Sequence, residues 1–213
     1  MTRILLVDDH PVVVEGLRQI LADAIPDVEV GVAGSGAEAM RLFRSARWHV
    51  VVLDVFLPDG SGLDVLKQLR AMRPSTPVLV LSMHSEEQFA VRLLRAGASG
   101  YVTKKAAVQE LVTAVRKVRS GGKYVSETLA ERLAEEIRVD APLEPHDALS
   151  DREYLVFRKL ASGQTVKEIA AELKLSPQTV STHRTRILEK MGMKTNADLV
   201  RYVTQHRLLG GTL

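Results

Sequence analysis

Short apolar runs alternate with amphipathic stretches through the first half of the chain. Arg3–Val7, Val28–Ala33, Val50–Leu53, Val78–Leu81 and Tyr101–Val102 are compact runs closed by turn or charged residues. Such runs read as strands, those with continuous apolar character being buried on both faces. Between them apolar residues recur at helical spacing: Val13, Leu17, Ile20 and Leu21, then Ala39, Met40 and Phe43, then Leu63, Leu66 and Leu69. A fourth helix runs from Phe89 to Ala96, and a fifth carries Val108, Leu111, Val112, Val115 and Val118 on one stripe. Pro11 suits a first helical turn, Gly34-Ser35-Gly36 is a turn, and Gly97 is placed as a C-cap. Gly121-Gly122 stops the last helix. Five strands alternating with five helices predict an α/β domain, a doubly wound five-stranded parallel sheet covered on both faces.

Beyond Gly122 the pattern changes. Ser126 can cap a helix with Leu129, Leu133 and Ile137 on one side. VDAPLEPHDA (139–148), with its two prolines and three acids, reads as a flexible tether. The helix before it can dock on the first domain or on a twin chain, and both stay open. From residue 149 the periodicity is helical throughout. Ser150-x-x-Glu153 and Thr165-x-x-Glu168 are capping boxes. The first helix buries Leu155, Val156 and Leu160 and ends at Gly163; the second carries Ile169, Ala170 and Leu173. After the turn Lys174–Ser176, Ser176 caps a third helix with Pro177 at its first position. So tight a turn between two helices is the helix-turn-helix pattern. Thr195 caps a fourth helix that buries Leu199, Val200 and Val203. The chain divides into residues 1–122, a connector 123–148, and a small all-α four-helix domain 149–213.

Charge sharpens this division. Residues 1–122 carry 15 basic and 13 acidic side chains, a net +2; residues 123–148 carry 3 and 7, a net −4; residues 149–213 carry 11 and 6, a net +5. A basic domain behind an acidic connector suits a polyanionic partner, although a solvated basic surface fits the charge alone equally well. There is no cysteine, which excludes disulfides, thiolate zinc sites and cysteine nucleophiles. The apolar run in MTRILLVDDH is too short for a secretory leader, and no run approaches membrane-span length. The expected compartment is the cytoplasm, with no membrane partner.

A parallel sheet gathers the carboxyl ends of its strands along one edge. Here that brings together Asp8, Asp9, Asp54, Ser82 and Lys104. Three carboxylates repel one another unless a cation sits among them. A hard divalent ion with oxygen ligands, Mg²⁺, answers that need. A lysine and a hydroxyl beside it suit an incoming phosphoryl group.

The motifs VDDH (7–10), VVLDVFLPDGSG (51–62), LSMH (81–84) and GYVTK (100–104) resemble the receiver domain of two-component response regulators, a flavodoxin/CheY-like fold. That resemblance implies Asp54 as phosphoacceptor, with Asp8, Asp9, Asp54 and the backbone carbonyl of Phe56 holding Mg²⁺. It also implies Ser82 as a switch hydroxyl, Lys104 as the partner of the phosphoryl oxygens and Tyr101 as an aromatic switch. Many receivers carry proline, often after a cis bond, where this chain has Lys105; the geometry there stays open. Residues 149–191, LSDREYLVFRKLASG…VKEIAAELKLSPQTVSTHRTRILEKM, resemble the LuxR-type DNA-binding domain of the NarL/FixJ class.

The two resemblances together imply a phosphorylation-activated DNA-binding transcriptional regulator. Its partners would be a sensor histidine kinase, double-stranded DNA and a second copy of the chain, the last helix commonly being the dimer contact in this class. On the third helix Val180, Ile187 and Met191 point inward, while Gln178, Thr182, Thr185 and Glu189 point outward with Ser181 and Arg186 flanking. Gln178, Ser181, Thr182 and Thr185 are the candidates for base edges, and Arg184 and Arg186 for phosphates. Lysines often stand at the Ser181 and Thr185 positions in relatives, so guanine reading from those two is in question. Gln178 can read adenine or remain a solvated amide. His183 lies near the packed face and reads as structural. Competing readings are an adaptor acting by protein contact, a regulator independent of phosphorylation, and a haloacid-dehalogenase-type phosphatase. The last needs an acid two residues after the nucleophile, where Phe56 stands.

Overall fold

The computed structural model describes residues 1–82, 87–131, 144–173, 175–206 and 208. The chain forms two compact units, residues 1–140 and 141–213. Leu133, Ile137, the tether residues 139–143, Lys174 and the last two residues of LSMH fall outside the described residues.

The first unit is built on five parallel strands, β1 (Thr2–Val7), β2 (Val28–Ala33), β3 (Val50–Asp54), β4 (Val78–Ser82) and β5 (Gly100–Thr103), in the order β2-β1-β3-β4-β5. Strand order reverses on either side of β1, as a doubly wound sheet requires. Five helices connect or follow them: α1 (Pro11–Ala24), α2 (Gly36–Ser45), α3 (Gly62–Met72), α4 (Glu87–Arg95) and α5 (Lys104–Arg119). Ile4, Leu6, Val50, Val52, Leu79, Leu81 and Val102 meet α1 and α5 in one buried cluster. The alternate residues Leu5, Val51, Leu53 and Val80 are also buried, on the opposite face of the pleat. Each fully covered strand therefore reads as an unbroken apolar run.

Two expected stripes are corrected. On the last helix Val200 is 42% exposed beside buried Leu199 and Val203, because it sits one residue round from that face. On α5 the inner face is Ala107, Leu111, Ala114, Val115 and Val118, while Val108 is 68% exposed. Four-residue steps back from Leu111 land on Ala107, so Val108 is rotated out of the stripe. Gly97 and Gly121 take positive φ at the ends of α4 and α5, as their C-cap positions ask. Among the described residues every peptide bond is trans, that between Lys104 and Lys105 included.

After α5 the chain does not leave the sheet. Tyr124 donates its N–H to Ser99 O at 3.1 Å, and Tyr101 donates its N–H to Tyr124 O at 2.9 Å. These two bonds add a strap to the outer edge of β5. Gly100 makes room for it, since a Cβ there would stand 2.6 Å from Tyr124 O. The Tyr124 hydroxyl donates to Glu110 Oε2 at 3.0 Å, and Lys117 Nζ lies 5.8 Å from the centre of its ring. Ser126 then caps the following turn through Leu129 N–H at 3.3 Å.

The second unit contains α6 (Asp151–Ala161), α7 (Val166–Leu173), α8 (Pro177–Lys190) and α9 (Asn196–Gln205). Ser150, Ser176 and Thr195 accept hydrogen bonds at the starts of α6, α8 and α9, and Ser150 and Thr195 complete capping boxes with Glu153 and Asp198. Thr165 and Glu168 make the same reciprocal pair at the start of α7. α6 packs on α8 and α9, and α7 on α8, around Leu155, Phe157, Leu160, Ile169, Val180, Ile187, Leu199 and Val203. The end of the expected tether is not loose. Pro145–Ala148 form a 3₁₀ turn, and the Tyr202 hydroxyl donates to Glu144 Oε2 at 3.1 Å and meets His146 Nδ1 at 2.8 Å.

Candidate functional site

Strand register assembles the acidic pocket. Val7 pairs with Leu53, Asp54 with Leu81, and Ser82 with Thr103. The residues that end or follow these strands, Asp8, Asp54, Ser82 and Lys104, therefore arrive at one edge of the sheet. Asp8 is 4% exposed, Asp54 2% and Ser82 0%. The Lys104 ammonium lies 2.7 Å from Asp54 Oδ2 and 2.6 Å from Asp8 Oδ2. Asp9 stands at the rim. Phe56, two residues past the end of the strand, donates its N–H to Asp54 Oδ1 at 3.3 Å.

The loop after Asp54 is folded tightly onto its own start. Phe56–Leu57 pairs antiparallel with Gly60–Ser61, and Gly62 N–H reaches Val55 O at 2.9 Å. A Cβ on Gly62 would stand 2.6 Å from Val55 Cα and 2.7 Å from Asp54 O, so only glycine lets the chain close here. Asp59 fastens the same loop to α2, accepting from Gly36 N–H and Ala37 N–H, each at 2.8 Å.

Among the described residues the pocket holds more carboxylates than ammonium groups. Burial pushes the Asp54 carboxyl above its ordinary range, further than Lys104 pulls it down, and neighbouring Asp8 adds to the rise. Burial also works against the Lys104 ammonium, yet Asp54 and Asp8 outweigh it and hold its pKa above the usual lysine value. One buried ammonium thus faces Asp8 and Asp54, with Asp9 beside them. Ligand atoms of Asp8, Asp9, His10 and Asp54 lie within 4.8 Å of one another. This mostly hard-oxygen donor set fits a divalent cation.

His10 belongs to this cluster and was not among the expected site residues. Its N–H donates to Asp8 Oδ1 at 2.9 Å, and its Nδ1 lies 3.1 Å from Asp8 Oδ1 and 2.8 Å from Asp9 Oδ1. The signal in the sequence was only its adjacency to the two acids. Tyr101 is buried on β5, its backbone tied to the strap at Tyr124, which sequence periodicity did not reveal.

In the second unit α8 presents the expected outer face. Val180, Ile187, Leu188 and Met191 are buried, whereas Gln178, Thr182, Thr185, Arg186 and Glu189 are exposed and Ser181 is half-buried. Thr182 Oγ1 donates to Gln178 O at 3.0 Å and Thr185 Oγ1 to Ser181 O at 3.2 Å. Arg184 differs from the rest. It is half-buried and donates through Nε to Asn196 Oδ1 at 2.7 Å, which ties α8 to the start of α9. His183 is half-buried, with burial lowering its pKa. Glu153 is 3% exposed and meets Lys190 Nζ at 2.6 Å. Burial alone would raise its pKa, but Lys190 and the cap at Ser150 outweigh it and hold the carboxyl below its ordinary value. Among the described residues no helix is long and apolar enough to cross a membrane.

A receiver sheet with an Asp–Lys pocket, followed by a helix-turn-helix domain, defines a two-domain signalling class, and comparison with known proteins agrees. Residues 4–116 match the response regulator receiver domain, and residues 147–203 match the luxR family of bacterial regulatory proteins. The chain belongs to the response regulators of the LuxR type. It is 36% identical over 213 residues to the response regulator GacA of Pseudomonas protegens, covering 100% of both chains. It is 34% identical over 209 residues to the response regulator UvrY of Escherichia coli, covering 98% of this chain and 96% of that one. A solved structure of two RcsB dimers bound to two parallel DNAs is similar at 27% identity, with a TM-score of 0.58 over 95% of this chain and 98% of that one.

Proposed function

We propose that Asp54 accepts a phosphoryl group from a sensor histidine kinase and that this transfer sets how the C-terminal domain engages DNA. The observation that carries the reading is the buried Asp54 held 2.7 Å from the Lys104 ammonium, with Asp8 bound to the same nitrogen. A carboxylate oxygen of Asp54 attacks phosphorus as the P–N bond to the kinase histidine breaks. Lys104 then turns from the Asp54 carboxylate to the phosphoryl oxygens. Asp8, Asp9, Asp54 and the Phe56 carbonyl would hold Mg²⁺, which supplies neutralisation of the nucleophile and the transferring group. Ser82 donates to a phosphoryl oxygen, and Tyr101 responds to the space it leaves. The result is a population shift between two packings of the face formed by α4, β5 and α5.

The output is transcription regulation. As a dimer on paired half-sites, the protein lays α8 in the major groove. Gln178, Ser181, Thr182 and Thr185 face base edges and Arg186 a phosphate. Arg184, held through Nε by Asn196 Oδ1, keeps its Nη donors for a phosphate. The working division is a receiver (1–122), a connector (123–148) and a DNA-binding domain (149–213). The receiver assists its own phosphoryl transfer without being an enzyme in the usual sense, and it acts in the cytoplasm beside its DNA. The test combines labelled acetyl phosphate or kinase with DNA footprinting. Phosphorylation of the wild type should tighten a two-fold symmetric footprint. Equal footprints for phosphorylated wild type and Asp54→Asn would overturn the reading.

A further inference from the structure

We propose that His10 is a nitrogen ligand in the cation site of the acidic pocket. It biases that site away from Mg²⁺ and towards ions that accept imidazole, Mn²⁺ and the later first-row divalent metals. The inference rests on the reading of the pocket as a divalent-cation site, and it adds a ligand that the acidic motif alone does not include.

Three observations carry it. The first is position: His10 Nδ1 lies 2.8 Å from Asp9 Oδ1 and 3.1 Å from Asp8 Oδ1. Two ligands at right angles on a metal with bonds of about 2.1 Å are about 3.0 Å apart. The spacing that now holds a hydrogen bond therefore also suits two neighbouring ligands of one ion. The second is aim. His10 N–H donates to Asp8 Oδ1 at 2.9 Å, so the backbone and the ring converge on the same oxygen. The third is composition of the cluster: Asp8, Asp9, Asp54 and His10 each offer a ligand atom, all within 4.8 Å of one another. Lys104 already bridges Asp8 and Asp54 from the buried side. His10 approaches from the rim, its side chain 61% exposed.

The chemistry follows from ligand type. Carboxylate and carbonyl oxygens suit Mg²⁺, while imidazole strengthens binding of Mn²⁺, Co²⁺, Ni²⁺ and Zn²⁺, and increasingly so along the series. A mixed set keeps Mg²⁺ usable but raises the affinity of its competitors.

The experiment uses the full chain loaded with Mn²⁺ and reads nitrogen coupling by electron spin-echo envelope modulation, alongside metal affinities by calorimetry. Wild type should show ¹⁴N coupling that changes to ¹⁵N coupling on labelling its histidines, and His10→Gln should lose it. The same substitution should lower Mn²⁺ affinity about tenfold and leave Mg²⁺ affinity within about twofold. Bound Mn²⁺ without nitrogen coupling, or coupling that persists in His10→Gln, would overturn the role of His10 and leave the cation site standing. Failure of both Mn²⁺ and Mg²⁺ to bind wild type any better than Asp8→Asn would overturn the cation site as well. Because His10 is exposed at the start of α1 and its side chain makes no capping bond there, His10→Gln should keep the fold; the labelled wild type serves as an independent reading.

Discussion

In the acidic pocket Lys104 lies within 2.7 Å of two buried carboxylates. Along the outer face of α8, by contrast, the hydroxyls of Thr182 and Thr185 bond to backbone carbonyls of their own helix. The pocket is a set of charges that define one another. The helix face is a row of side chains that stand side by side. Phosphoryl transfer needs the first arrangement, because each charge must be compensated where water is excluded. Sequence reading needs the second, because each base pair is judged by its own contact. The two surfaces therefore differ in how strongly their side chains are coupled, and paired substitutions measure that coupling.

The largest effect should come from Asp54→Asn, which removes the nucleophile; phosphate label from acetyl phosphate should be absent. Next is Lys104→Met. It leaves Asp8 and Asp54 buried without their cation, a loss of about 3–5 kcal/mol for a broken buried pair, read from the receiver's unfolding transition in chelator. Adding Asp8→Asn to it should recover part of that loss, giving a coupling of at least about 1 kcal/mol. Simple additivity would dissolve the contrast with α8. On that helix, Gln178→Ala should cost about 1–3 kcal/mol of discrimination at one base pair. Arg186→Ala should weaken binding evenly across sequences and reduce the salt slope by about one. The two should add to within about 0.5 kcal/mol, as for sites separated by about 12 Å along a helix. A strong coupling between them would show that the face also works as a unit.

The smallest effect tests the support beneath α8. Glu153 joins the cap of α6 to Lys190 at the end of α8. Its folded pKa lies below the ordinary value. Its stabilisation is therefore fully present above the glutamate range near pH ~4.3 and disappears as pH falls through the lower folded value. Glu153→Gln should cost about 1–2 kcal/mol at pH 7. In denaturant melts of the full chain, the gap between the two proteins should close on acidification.

What could be read from the sequence follows the same contrast. The five strands and the convergence of Asp8, Asp54, Ser82 and Lys104 were legible because each acid or hydroxyl ends an apolar run, and parallel topology brings run ends together. Helix starts were legible because caps are local, acting over three residues. Val108 was misplaced because a valine on a helix looks equally apolar on either side of the stripe edge. Glu153–Lys190 and Arg184–Asn196 join residues far apart in sequence or on different helices, and their charges read as solvated until the helices are packed. His10 was legible only as a neighbour of the acids; its ring position depends on how the chain turns into α1. The strap at Tyr124 left a faint trace, an aromatic and a β-branched residue just after Gly121-Gly122. A pair of backbone hydrogen bonds to a strand more than twenty residues earlier has no periodicity to betray it.

That strap also decides where the receiver can be cut. Matching to the family ends at residue 116, yet the outer edge of β5 is closed by Tyr124. A fragment ending at Gly122 would leave the amide of Tyr101 and the carbonyl of Ser99 bare on an edge strand, which invites pairing with another molecule. Self-association of such a fragment would then be an artefact of truncation. Deuterium uptake at the Tyr101 amide in the intact chain would count how often the connector lets go.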